Sequence, residues 1–82
     1  MSALTLAALP VGTPAVIDCY LGAKPSLTRL RELGLVPGTQ VEVIRRAPLG
    51  EPIEIRVRQS HIAMRNADAA FIAVTPLEPE AT

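Results

Sequence analysis

Ser26–Gly38 reads SLTRLRELGLVPG, a helix-like run stopped twice within a few residues. Leu27, Leu30 and Leu33 recur every third residue, the spacing that gathers side chains towards one side of a helix. Ser26 offers an N-cap hydroxyl, although Arg29 stands where a capping box carries Glu or Gln. Gly34 suits the left-handed C′ position that ends a helix, because it has no Cβ to clash there. Leu35 and Val36 form a short extended link, with Leu35 expected inside and Val36 partly out. Pro37-Gly38 fits the centre of a type II turn, Pro setting φ and Gly accepting φ > 0. The first stop releases the chain from a helix, and the second aims it into a strand.

Beyond that turn the period changes from helical to alternating. Thr39 to Ala47 sets Val41, Val43 and Arg45 against Gln40, Glu42, Ile44 and Arg46. After the turn Pro48-Leu49-Gly50-Glu51-Pro52, Ile53, Ile55 and Val57 alternate with Glu54, Arg56 and Arg58, a strand with one wet face. Gln59-Ser60 turns the chain, and His61 to Arg65 places Ile62 and Met64 on one face. Asn66 to Ala70 reads as a single helical turn before a last short strand, Phe71 to Val74. Upstream, Leu4, Leu6 and Leu9 share one side of a short helical turn. Ala15, Ile17, Cys19 and Leu21 then form the expected core face of a first strand, against Val16, Asp18 and Tyr20.

The spacing therefore predicts a mainly β fold of about five strands, with one short helix and one or two helical turns. Closure into a small barrel hides sheet edges in so short a chain, and a flat sheet under one helix is the competing architecture. The domain is expected over residues 1–75, with 76–82 as a flexible tail.

Composition narrows the job. A chain of 82 residues makes one domain with a small core. With no Trp, one Phe and one Tyr, that core is aliphatic. Eight basic and eight acidic side chains cancel, which argues against a nucleic-acid binder that must displace counterions from phosphates. Stacking aromatics for single strands are missing too. The single Cys19 forms no internal disulfide, consistent with a reduced, cytoplasmic setting. The apolar start MSALTLAALPVGTPA has no Lys or Arg before it and is cut by Pro10 and Gly12, unlike a signal peptide. No run reaches the ~18–20 apolar residues of a membrane span, so membrane insertion is not expected.

Read in order, RLRELGLVPG, TQVEVIRRAPLGEPIEIRV, HIAMR and DAAFIAV resemble the FeoA family, and LTLAALPVGTPAVI matches that family's opening turn and first strand. The resemblance covers about residues 4 to 74. It implies an SH3-like barrel and an accessory role in ferrous iron uptake. The implied partner is the cytoplasmic G-protein domain of FeoB, a membrane iron permease. The same fold closes iron-dependent repressors, but no helix-turn-helix accompanies it here. The loop Gly22 to Ser26 has only Lys24 as a cation, so any contact it makes with the permease cannot rest on charge.

Catalysis finds no support in the residues, which lack GxSxG, HExxH and P-loop patterns, and no enzyme is expected. No cofactor is required. Weak zinc or ferrous iron binding is the alternative, as a carrier or sensor, although Cys19 inside and His61 outside would not meet within one chain. A metal site would then lie between two molecules of a weak homo-oligomer, using His61, Asp18, Glu54 or Cys19. The arginines form the stronger candidate. Arg45, Arg46 and Arg65 with Arg29, Arg31 and Val36 make the expected partner-binding set, since local charge asymmetry can steer a partner when the total is zero. The same charges would also serve as a solvated, aggregation-blunting face.

Overall fold

The computed structural model describes residues 4–77. The chain runs through a 3₁₀ turn (Leu6–Ala8), β1 (Pro14–Tyr20), α1 (Pro25–Glu32), β2 (Gln40–Arg46), β3 (Ile53–Val57), β4 (Ser60–Met64), α2 (Asn66–Ala69) and β5 (Ile72–Pro76). All five strands join one antiparallel sheet in the order β4-β3-β2-β1-β5. One apolar cluster takes residues from every strand, so all five contribute to a single buried face. Leu6, Leu9, Leu27, Leu30 and Leu35 fill the interior from the connecting segments. The architecture is the mainly β, barrel-like one expected, with its core aliphatic throughout.

The double stop resolves as two distinct devices. Gly34 N–H donates to Arg31 O at 3.0 Å and Leu35 N–H to Leu30 O at 3.1 Å, the paired bonds of a Schellman motif, with Gly34 at φ +107°. Thr39 N–H then donates to Val36 O at 3.0 Å across Pro37-Gly38, with Gly38 at φ +91°, as a type II turn requires. The turn end of this junction is tied to β1, through Gly38 N–H to Ile17 O (2.8 Å) and Ile17 N–H to Thr39 O (2.9 Å). Leu35 is wholly buried and Val36 half-buried, as the link predicts.

Five expectations need correction. The N-cap of α1 is Lys24, not Ser26, with Pro25 in the first helical position. Proline fits there because its missing N–H would have had no helical partner, and it holds the residue before it extended. Leu33 is 50% exposed. At 3.6 residues per turn, six residues carry it about 120° away from Leu27 around the helix.

Cys19 and Leu21 face solvent, not the core, because β1 bulges at Asp18: Ile17 pairs with Val74 and Cys19 with the adjacent Ala73. One extra residue reverses the alternation beyond it. A second bulge at Ile44 does the same to β2, so Arg45 turns outward opposite Glu54 and Arg46 turns inward opposite Ile53. Bulges also bend and twist the strands that carry them, which helps this short sheet to curl. At the C-terminal end β5 continues through Thr75 and Pro76, past the expected Val74. The expected tail lies outside the described residues from position 78 onward.

Candidate docking face

The fold sorts the arginines by what already holds them. Arg46 sends its Nη2 to the carbonyls of Ala7 and Leu9, both at 2.9 Å, and so straps β2 to the N-terminal segment. Arg45 pairs with Glu54 at 3.1 Å across the β2–β3 ladder, and Arg56 with Glu42 at 3.6 Å. Arg31 stacks over the Tyr20 ring, 4.1 Å from its centroid. The Tyr20 hydroxyl donates to Leu35 O at 2.6 Å. Burial pushes the Tyr20 phenol above its ordinary value, against the opposing pull of the Arg31 cation, so the donor proton is held.

Arg58, exposed just after β3, lines a separate cavity, and Arg29 and Arg65 remain. Neither forms an ion pair among the described residues, and α1 and the end of β4 bring them to the same groove. This cavity of about 290 Å³ is lined by Ser26, Arg29, Leu30 and Leu33 from the helical side and by Ile62, Ala63, Met64, Arg65 and Asp68 from the sheet side. Thus the expected set divides. Arg29 and Arg65 converge, Arg31 and Val36 lie further along the α1–β2 junction, and Arg45 and Arg46 are engaged elsewhere.

Asp68 anchors one end of the groove. It is buried, accepts from Ser26 Oγ at 3.0 Å and pairs with Lys24 Nζ at 3.0 Å, while Lys24 also lies over the Phe71 ring. Burial alone would raise the Asp68 carboxyl, but the bonds from Lys24 and Ser26 and the charges of Lys24 and Arg65 outweigh it. The carboxyl therefore sits below its ordinary value. This cluster ties the start of α1 to α2, and it explains why Lys24 is not a free cation in its loop.

A second, larger cavity of about 430 Å³ lies over Gly38, Thr39, Gln40, Val41, Glu42, Arg56 and Arg58. Arg56 and Glu42 pair with each other at its lining, and Arg58, exposed and outside any ion pair among the described residues, leaves it one net positive charge.

The metal candidates stay apart. His61 is exposed on β4 opposite Arg56, Glu54 is held by Arg45, and Asp18 accepts from Thr75 Oγ1 at 2.6 Å. Exposed Cys19 follows Asp18 at the bulge. Among the described residues no three His, Cys, Asp or Glu side chains gather where they could hold a metal ion. No helix among them is long and apolar enough to cross a membrane.

The groove itself was not legible in the residues. Leu33 was the one available signal, a leucine too far around its helix to reach the core.

Comparison with known proteins fits this geometry. The chain is 33% identical over 79 residues to an Fe(2+) transport protein A/Fe(2+) transporter FeoB fusion protein of Porphyromonas gingivalis. That alignment covers 96% of this chain and only 9% of the fusion protein. It is 35% identical to the FeoA protein of Chlorobium tepidum, whose solution structure superposes with a TM-score of 0.85 over 95% of this chain and 74% of that one. Stenotrophomonas maltophilia FeoA, crystallised with zinc and described as a prokaryotic SH3 domain protein, is 34% identical, with a TM-score of 0.76 over 88% of this chain and 89% of that one. The FeoA domain family matches residues 4–76, and with the segment order, the curled five-stranded sheet and these relatives in agreement, the chain belongs to that family.

Proposed function

We propose that the chain is a non-enzymatic, cytosolic accessory protein of ferrous iron uptake that docks on the cytoplasmic G-protein region of a FeoB-type permease and modulates transport. The observation that carries this reading is the P. gingivalis protein, in which a segment resembling nearly all of this chain is joined to an iron transporter. Covalent joining raises the effective concentration of two modules that work together, and a separate chain must supply the same proximity by binding. The S. maltophilia relative, put forward as a ferrous iron transport activating factor, supports the same role. The physical means is a small barrel on which two exposed cations without ion-pair partners among the described residues, Arg29 and Arg65, come together at one groove.

Co-purification with the permease's cytoplasmic domain, with and without guanine nucleotide, tests it. Capture is expected in at least one nucleotide state. Absence of capture in every state overturns the proposal.

The zinc in the S. maltophilia structure favours a second reading, a chain that itself carries a transition metal. Among the described residues no three such donors converge, so a site built from them would draw on two molecules. Metal titration of wild type, His61→Ala and Cys19→Ser separates the readings: binding weakened by either substitution supports it, and unchanged binding in both removes these donors.

A further inference from the structure

The two edges of the sheet are finished differently. The outer edge of β5 is covered by the N-terminal segment, where Thr5 bridges Ala73 and Val74 N–H donates to Leu4 O at 2.9 Å. The strand also ends in Pro76. At the opposite edge β4 pairs with β3 alone, and no main-chain hydrogen bond among the described residues reaches its free side. Edge strands are commonly blunted by proline, lysine, an inward charge or a bulge. The β4 sequence SHIAM has no proline or lysine, and its register with β3 runs unbroken from Ser60 to Met64.

The groove beside this edge is built to complement an added strand. Leu30 and Met64 are buried at its floor, half-exposed Leu33 and half-buried Ile62 form apolar walls, and the small Ala63 leaves room. Arg29 and Arg65 are exposed at the groove and lack ion-pair partners among the described residues. Its one carboxylate, Asp68, is already satisfied by Lys24 and Ser26. The free charge is therefore positive.

We infer that the open edge of β4 and the groove between it and α1 receive an extended segment of a partner protein, which adds antiparallel or parallel as a sixth strand and sets carboxylates against Arg29 and Arg65. Main-chain bonds to β4 supply affinity, and alternate side chains, projecting every second residue, fill the apolar groove. A bound helix satisfies its own backbone and would leave the β4 donors and acceptors unmatched. A five-residue strand is about 17 Å long, so a segment of comparable length suffices. The inference does not depend on which protein carries the segment, and so stands apart from docking on the permease.

The test uses the full chain as bait for a displayed library of random twelve-residue peptides. The enriched peptides are expected to alternate apolar and polar residues and to carry Asp or Glu. In amide NMR they should shift Ser60–Met64 and slow hydrogen exchange there. Alternate backbone N-methylation of a selected peptide should abolish binding, and Arg29→Glu with Arg65→Glu should weaken it roughly tenfold or more, as loss of charge-assisted bonds does. Both arginines are exposed, and thermal unfolding checks that the double variant remains folded. No enrichment, binding mapped to another face, insensitivity to N-methylation or indifference to charge reversal would each overturn the inference. So would sedimentation showing that β4 is already occupied by a second copy of the chain.

Discussion

At Gly34 the backbone, and not the space around it, sets the cost of substitution. A Cβ built there meets nothing within 4 Å, yet φ is +107°, a region that side-chain-bearing residues rarely adopt. Gly34→Ala should therefore lower stability by roughly 1 kcal/mol, read by urea denaturation, through strain at the helix stop. Leu35 beside it is the reverse case, an ordinary backbone whose side chain is wholly buried. Leu35→Ala is expected to cost ~2–5 kcal/mol in the same measurement, as other buried leucine truncations do. Both residues were legible in the sequence. A glycine after a leucine-spaced helical run, followed by Pro-Gly three residues on, has few conformational solutions. Cys19 was not legible, because a bulge leaves no mark in the alternation of apolar residues until its partner strand is known.

Between elements, the contact that most needs explanation is the buried carboxylate of Asp68, which joins α2 to the start of α1. Its folded-state value is lowered, so its stabilising contribution is complete above the unfolded value near 4 and is lost as pH falls through the lower folded one. Stability should decline on acidification through that window. Asp68→Asn should be less stable at neutral pH and should show a smaller decline below about pH 4, measured as denaturation midpoints across a pH series. An Asp68→Asn protein with the wild-type pH profile would show that the Lys24 and Ser26 contacts contribute nothing to this dependence. Helix α1 itself was foreseen in place, but its cap was not. Ser26 had the right chemistry for capping its own helix, and the fold instead directs its hydroxyl to a residue 42 positions along the chain.

Across the whole molecule, charge is neutral in sum and uneven in use. Arg46 is part of the scaffold, donating to two carbonyls nearly forty residues earlier. Arg46→Ala should destabilise by roughly 1.5–3 kcal/mol, since it removes bonds from a charged donor and leaves part-buried carbonyls without them. Its neighbour Arg45 pairs with Glu54 at the surface, and Arg45→Ala should stay within about 1 kcal/mol of wild type. Thermal or urea unfolding of the two single variants separates them, and equal losses would contradict the bulge-driven exchange of faces. A capture experiment on the docking reading therefore should not use Arg46, whose loss weakens the fold. Arg29 and Arg65 are the substitutions that probe recognition without disturbing the core.

The residues by themselves determined the order of elements, the double stop and the aliphatic interior, because those depend on φ limits, on periods of two and 3.6, and on apolar content, all local properties of the chain. Which side of a strand faces inward beyond a bulge, which arginines are spent on the scaffold, and which sheet edge stays open were settled by the tertiary structure alone. Each depends on what lies opposite, and strand pairing and ion pairing bring together residues too distant in sequence for any local pattern to register.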